Sequence, residues 1–264
     1  MKADKVYFLS QAGFTVKVVF KPTEFGYARE VLISSFKKAW ASFLVNKSRN
    51  VDFTVVVSSE AGKKEILVRD GGKNYYYLTY ARNFKGRKVD TFYTVNLRGL
   101  DMLFKEIFAY LLRKDGFLLH ASSVVDKKGN LSVFMARSGG GKTTTLNLFR
   151  GAGYAKFGDD IVLVRKIARH WKFFSPPFIE KNELSVKKQA SRANLYIVKK
   201  ARKPYLSSTK DGKSLLPFLL GQIWLGDGTL ERSVLKNALS FLKENNFFKL
   251  GVVLDAKRMR EILK

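Results

Sequence analysis

The feature that most constrains this chain is a glycine-rich segment, SGGGKT at residues 138–143, between an apolar run and a helix-like run. Strand, turn and helix in this order are the context that a phosphate-binding loop requires. Three consecutive glycines let backbone amides converge on phosphate oxygens, and the start of the helix adds partial positive charge. The segment therefore predicts a nucleotide-binding loop, with a ligand-free glycine turn in a basic protein as the alternative.

The residues of this segment have separate predicted roles toward ATP and Mg²⁺. Lys142 is expected to reach the terminal phosphates, and the hydroxyl of Thr143 is expected to ligate the metal. The predicted nucleotide-binding residues are Ser138, Gly139, Gly140, Gly141, Lys142, Thr143 and Thr144. One position departs from the pattern GxxxxGK followed by Ser or Thr, because Ala136 stands where the pattern has glycine. A Cβ at this position makes positive φ less accessible.

Two adjacent carboxylates, Asp159 and Asp160, follow residues 154–157, which are expected to form the next strand. A strand, a short helix and another strand joined by a right-handed crossover run parallel, so their carboxyl ends emerge at the same edge of the sheet. We therefore expect the two acids to face the glycine-rich segment across a ligand crevice. Beside a triphosphate, one carboxylate can hold Mg²⁺ and the other can accept a proton from an attacking hydroxyl. A solvated Gly-Asp-Asp turn is the alternative.

One histidine, His120, ends the apolar run at residues 117–119, which predicts a strand that precedes the loop strand. A lone histidine at the end of such a run is more often a core residue than a catalytic one. The residue and its neighbours leave both roles open.

The order and spacing of LLHASSVV, SVFMARSGGGKTT and GYAKFGDDIVLV resemble the HPr kinase/phosphorylase family, and more closely its shorter relatives, the HPr-kinase-like serine kinases. The resemblance implies a core shared with ATP-dependent phosphoenolpyruvate carboxykinase. It also implies that the family's active-site histidine, loop lysine, loop hydroxyl and acidic pair correspond to His120, Lys142, Thr143, Asp159 and Asp160. This stretch lacks an RGLG-type signature and a Pro-Gly-Arg-Asn segment after the acids, so the resemblance does not extend to phosphorolysis.

The N-terminal part of the chain alternates in the manner of strands at residues 14–20, 52–58, 65–68, 75–80 and 91–97. A helix-like spacing covers residues 27–44, and an amphipathic helix is predicted at 100–112. We expect an α/β protein with two regions. Residues 1–99 are expected to form an α+β region with a small antiparallel sheet. Residues 100–264 are expected to form a P-loop kinase-like catalytic region whose core, by the resemblance, is like that of HPr kinase and phosphoenolpyruvate carboxykinase. One continuous domain is the alternative.

The chain carries 49 Lys and Arg against 22 Asp and Glu, which gives a formal net charge of +27. Such a field attracts nucleic acid, anionic lipid or an acidic polypeptide. The densest basic cluster is Lys199, Lys200, Arg202 and Lys203, close in sequence to Tyr196 and Tyr205. Basic and aromatic residues together suit a nucleic-acid strand, although a solvated strand end is the more common role.

The chain has no cysteine and two histidines, which excludes disulfides, thiolate nucleophiles and cysteine metal sites. No apolar run is long enough for a membrane span, and the apolar patch near residues 6–9 is too short for a signal sequence. We therefore expect a cytoplasmic protein without a membrane span. Self-association into a homo-oligomer is left open.

Taken together, these features predict an ATP- and Mg²⁺-dependent kinase that transfers the γ-phosphoryl group to a hydroxyl, of a serine in a peptide or protein. The predicted catalytic residues are Asp159, Asp160, His120 and Lys142, with Thr143 and Asp160 as metal ligands. By resemblance, Asp159 is the better candidate for the base. The alternatives are a basic, nucleic-acid-associated nucleotide-binding protein and a small-molecule kinase.

Overall fold

The structure is a computed structural model that describes residues 3–24, 26–58, 65–70, 74–83, 86–92, 97–180, 186–226 and 231–262. The chain divides into two compact units. The first consists of Met1–Leu111 and Pro177–Ser185, and the second of Leu112–Pro176 and Val186–Lys264. The sequence-based boundary was residue 99, whereas the amphipathic helix predicted at 100–112 lies almost wholly in the first unit.

The first unit contains a seven-stranded sheet with the strand order β3-β1-β2-β4-β7-β6-β5. Its strands are β1 Lys5–Gln11, β2 Phe14–Phe20, β3 Leu44–Val45, β4 Phe53–Ser58, β5 Glu65–Asp70, β6 Asn74–Asn83 and β7 Lys88–Phe92. Its helices are α1 Gly26–Ala39 and α2 Leu97–Leu112, and a short 3-10 turn covers Ala41–Phe43.

The prediction that the sheet of this unit is antiparallel is wrong, because the sheet contains both parallel and antiparallel pairs. β2 pairs in parallel with β4, and β4 pairs in parallel with β7. The physical reason is helix α1, which lies between β2 and β4 in the chain. The connection that contains this helix crosses over the sheet, so β4 runs in the same direction as β2. The strand predicted at 91–97 instead begins at Lys88. Residues 93–96 lie outside the described residues, and Leu97 begins α2.

Aromatic rings fill the core of the first unit. Phe36 of α1 lies 5.5 Å from Phe20 and 5.1 Å from Trp40, measured between ring centroids. Trp40 also lies 5.1 Å from Phe104 of α2. The Trp40 indole N–H donates to the carbonyl of Pro177 at 2.7 Å, which satisfies its one polar atom inside this apolar cluster.

A buried carboxylate on α2 makes the stability of the first unit depend on pH. Burial raises the pKa of Asp101 from 3.8 to about 6, although Lys105 at 3.3 Å and the Ile179 N–H at 2.7 Å oppose the shift. Folding therefore favours the protonated acid, and the free energy of unfolding falls as the pH rises from about 4 through about 6.

We expect Asp101→Asn to remove this dependence, because the amide oxygen can still accept from Ile179 but does not ionise. The free energy of unfolding of the variant, relative to the parent, should rise by up to about 3 kcal/mol between pH 4 and pH 7. Urea titrations at several pH values measure this difference. A difference that stays constant over the range would contradict the assignment.

The second unit contains a six-stranded and a five-stranded sheet, in the orders β11-β9-β10-β15-β18-β16 and β14-β13-β12-β8-β17. The strands are β8 Gly116–His120, β9 Ser122–Val125, β10 Leu131–Met135, β11 Ala155–Gly158, β12 Ile161–Ile167, β13 His170–Phe174, β14 Gln189–Ala190, β15 Ala193–Lys200, β16 Tyr205–Thr209, β17 Ile223–Trp224 and β18 Phe247–Val252. The helices are α3 Lys142–Gly151, α4 Gly212–Leu220, α5 Arg232–Glu244 and α6 Ala256–Ile262.

The two faces of β10 explain how the second unit is layered. Val133 and Met135 lie in one apolar cluster with residues of the five-stranded sheet and of α4 and α5. Phe134, between them, points to the other face and lies in a cluster with residues of α3 and α6. Alternate residues of a strand face opposite sides, so this strand, in which every residue is buried, is covered on both sides.

In the described part of the chain, no helix has the length and apolar character that crossing a membrane requires.

Candidate functional site

The candidate site lies where two chain segments pass together from one sheet to the other. β8 ends at His120 in the five-stranded sheet, and β9 begins at Ser122 in the six-stranded sheet. The second segment does the reverse, because β11 ends at Gly158 and β12 begins at Ile161. The predicted histidine and both predicted acids therefore fall at this single crossing.

Short hydrogen bonds hold the two segments against each other at the crossing. The Ala121 N–H donates to the carbonyl of Asp160 at 3.1 Å, and the Ser122 hydroxyl donates to the carbonyl of Asp159 at 2.8 Å. The Ser123 hydroxyl donates to the carbonyl of Gly158 at 3.2 Å. The backbone that presents the two acids is thus fixed by the strand that follows His120.

Gly158 lets the backbone approach closely just before the acids. A Cβ at this position would lie 2.6 Å from the carbonyl oxygen of Ile161 and 3.1 Å from Cδ of Pro176. The pairing of β11 with β9 also shifts register between Lys156 and Gly158. A bulge of this kind re-aims the residues that follow it, here the carboxylates.

The glycine-rich segment ends at the same sheet edge as the acids. β9 pairs antiparallel with both β10 and β11, so β10 and β11 run in the same direction with β9 between them. Their carboxyl ends therefore emerge together, as the crossover argument predicts. Two interstrand spacings separate β10 from β11, which is about 10 Å.

Two glycines of the glycine-rich segment adopt backbone conformations that other residues rarely adopt. Gly139 has a φ of 71° and Gly141 a φ of 95°, both in the left-handed region. A Cβ on Gly140 would lie 2.7 Å from the Cβ of Ala136. Ala136 itself is not among the described non-glycine residues with positive φ. The alanine that departs from the phosphate-loop pattern therefore occupies a conformation open to any residue.

The side chain of Lys142 reaches from the start of the helix back to the start of the glycine-rich turn. It is the first residue of α3, and its Nζ donates to the carbonyl of Ala136 at 2.8 Å, so the ammonium lies over the start of the turn. The Thr145 hydroxyl donates to the carbonyl of Gly141 at 2.8 Å. The N-cap residue of α3 is Gly141, which has no side chain to hydrogen-bond the first amides, whereas the Asp211 side chain caps α4.

The two acids lie in different environments. Asp159 is buried at 6% exposure, and one of its carboxylate oxygens accepts from the Ser122 hydroxyl at 3.1 Å. The side chain of Asp160 is 52% exposed, and its Oδ1 lies 3.1 Å from Nε2 of His120. The His120 side chain is itself 42% exposed, so it is not a core histidine.

Sequence reasoning did not identify two residues that contact this group. Ser122 binds Asp159, and its only signal was its place in the HASS run. Gln222 is buried, and its backbone carbonyl accepts a hydrogen bond from the backbone N–H of His120 at 2.6 Å. No described residue is a hydrogen-bond partner of its side-chain Oε1. No local pattern points to Gln222, because a strand pairing brings it to the site from a distant part of the chain.

Among the described residues, no three or more His, Asp or Glu side chains cluster in a way that would hold a metal ion. The candidate ligands are the two predicted from sequence, Thr143 and Asp160. Mg²⁺ usually binds one or two protein oxygens and completes its shell with phosphate oxygens and water, so this small set fits it beside a nucleotide.

The crossing and the glycine-rich turn thus place polar groups of opposite charge at one sheet edge. A scan against protein-family models gives no match to this chain, and a search among curated proteins gives none either.

Proposed function

We propose that this protein is a kinase that uses ATP and Mg²⁺ to phosphorylate a hydroxyl, that of a serine in a peptide or protein. The observation that supports the proposal best is the shared edge of the six-stranded sheet. The glycine-rich turn with Lys142 follows β10 and the two carboxylates follow β11 at the same edge, where His120 precedes β9 and contacts Asp160. Phosphoryl transfer needs mainly positioning and charge neutralisation, and these groups can supply both.

The glycine-rich turn is the proposed site for the phosphates of ATP. Gly139 and Gly141 adopt positive φ, a backbone conformation found in turns whose amides bind anions. The N-terminus of α3 adds partial positive charge there. Lys142 is already over the turn, and a short movement of its side chain would bring its ammonium onto the terminal phosphates. Residues 138–144 together form the proposed nucleotide-binding loop.

The different environments of the two acids support the division of labour that resemblance implies. Mg²⁺ keeps much of its hydration, so the more exposed carboxylate, Asp160, with the Thr143 hydroxyl, suits the metal. The metal supplies charge neutralisation on the phosphate oxygens. Asp159 is shielded from bulk water and oriented by Ser122, which suits a base that must meet one hydroxyl in a defined direction.

In the proposed reaction, the acceptor oxygen forms a bond to the γ-phosphorus while the bond from that phosphorus to the departing oxygen of ADP breaks. The hydroxyl proton passes to the carboxylate of Asp159. His120 contacts Asp160 through Nε2 and would fix the orientation of that carboxylate. Lys142 would stabilise the charge on the transferred group.

The experiment that tests this proposal combines binding with turnover. Calorimetry should give heat when ATP with Mg²⁺ is titrated into the protein. A library of serine-containing peptides should stimulate ADP release, and mass spectrometry should find phosphoserine in the stimulating members. Absence of heat with Mg²⁺-ATP would end the proposal. Stimulation by an oligonucleotide alone, or by a small alcohol alone, would instead favour one of the two alternative functions.

A further inference from the structure

Exposed basic side chains collect at the sheet edge on which the candidate site lies. They end or follow β15 and follow β18, on the side of the glycine-rich turn opposite to the acids. We call this set the basic edge, and its members are Lys199, Lys200, Arg202, Lys203, Lys257 and Arg258.

The pairing of the strands places the basic edge next to the glycine-rich turn. β15 is the parallel neighbour of β10, with Met135 opposite Ile197, and it continues for three more residues, to Lys200, past the end of β10. β18 is the next parallel strand. The Ala201 N–H donates to the carbonyl of Val252 at 3.0 Å, which holds the turn after β15 against the end of β18.

Little negative charge offsets these cations. In the described segments 199–205 and 252–258, the one acidic residue is Asp255. Its carboxylate accepts the backbone N–H groups of Lys257 at 3.0 Å and Arg258 at 3.1 Å, at the start of α6. The carboxylate is therefore used to cap the helix, and the basic edge keeps a net positive field.

Two exposed apolar side chains lie within the basic edge. Leu254 is 82% exposed, and Tyr205 is 41% exposed. Tyr205 is opposite Gly251 across the sheet, and a Cβ on that glycine would lie 2.3 Å from the tyrosine ring. The ring thus lies directly over the Gly251 backbone. A surface that carries both cations and exposed apolar side chains suits a partner with apolar and acidic side chains.

We propose that the basic edge binds an acidic segment of the polypeptide that carries the acceptor serine, an inference that rests on the proposed kinase function. Three interstrand spacings separate β11 from β15, which is about 14 Å. An extended peptide covers this distance in about four residues. Because β15 also extends past the end of β10, acidic residues from about four positions beyond the serine onward would meet the basic edge while the hydroxyl lies at Asp159.

A polypeptide fits this surface better than a nucleic-acid strand. Proteins that bind single strands stack successive bases on several aromatic side chains. In the described segments of the basic edge, Tyr205 is the one exposed aromatic residue, and the most exposed apolar residue, Leu254, is aliphatic. Tyr196, which is also close in sequence, is 4% exposed and packs in the core.

The test compares two variants with the same change in net charge. The first variant replaces Lys200, Arg202 and Lys203 by Glu. It keeps Lys199, which of the basic residues in β15 is the one nearer in the strand to the level of the glycine-rich turn. The control replaces Lys127, Lys128 and Lys236 by Glu, which are exposed residues of the second unit outside the basic edge. The probes are a serine peptide with a Glu-Glu-Glu-Leu segment four residues away, its Gln counterpart, and a single-stranded oligonucleotide, measured by fluorescence anisotropy and phosphorylation.

The parent and the control should bind the Glu peptide about 10-fold more tightly than the Gln peptide, and added salt should reduce the difference. The first variant should lose this preference while its KM for ATP stays unchanged. Equal binding of both peptides by the parent, equal loss in both variants, or tighter binding of the oligonucleotide at this edge would overturn the inference. Equal phosphorylation of both peptides would overturn it and leave the kinase proposal standing. Selective binding without any phosphorylation would support peptide binding at the basic edge and overturn the kinase proposal.

Discussion

Lys142→Ala is expected to reduce ATP-dependent phosphoryl transfer at least about 10³-fold, because it removes the cation assigned to the terminal phosphates. The fold should persist. Lys142 is the first residue of α3, and alanine has the highest helix propensity. The variant loses the hydrogen bond from Nζ to the Ala136 carbonyl, which is worth about 1 kcal/mol.

Phosphopeptide formation under single-turnover conditions measures the effect, and circular dichroism with thermal unfolding checks the fold. Lys236→Ala is a matched control, because Lys236 is an exposed lysine on α5 of the same unit. It should behave as the parent does. Turnover retained in Lys142→Ala would show that the lysine has another role and that the glycine-rich turn does not hold a reactive triphosphate.

Asp159→Asn is expected to lower kcat by about 10² or more while the affinity for Mg²⁺-ATP stays nearly the same. The amide oxygen can still accept from the Ser122 hydroxyl, so the packing of the crossing should be preserved. The amide cannot accept a proton from the acceptor hydroxyl. The loss should therefore appear in the chemical step.

Asp160→Asn is the informative comparison, because the two acids are adjacent but differ in exposure and in partner. Removal of the exposed carboxylate should raise the Mg²⁺ concentration needed for half-maximal activity. Titration of Mg²⁺ against both variants separates the two roles. If Asp159→Asn turned over like the parent, or if it alone shifted the Mg²⁺ requirement, Asp159 would not be the base.

Local patterns in the sequence predicted many of the elements that position the site. The apolar run at 131–135, the glycine-rich turn and the helix after it appear in the structure as β10, a turn with two positive-φ glycines, and α3. Such features depend on neighbours a few residues away, and the sequence records those neighbours directly.

Features that depend on distant pairings were not predicted. β9 was not identified as a strand, although it lies between the loop strand and the strand of the acids. The exposed strand β16, which forms one margin of the basic edge, was also missed. The first sheet was expected to be antiparallel and is mixed. Short strands have weak local signals, and their partners are chosen by contacts that no sequence window contains.

The sequence by itself determined which residues are available for chemistry at this site: a run of glycines before a lysine, one histidine, two neighbouring acids and a large excess of cations. Only the tertiary structure decided that the two acids differ. Asp159 is buried against Ser122, whereas Asp160 is exposed beside His120. The reason is that the chain passes from one sheet to the other at these two residues. The passage leaves the side chain of Asp159 buried and that of Asp160 exposed, although the residues are adjacent in sequence.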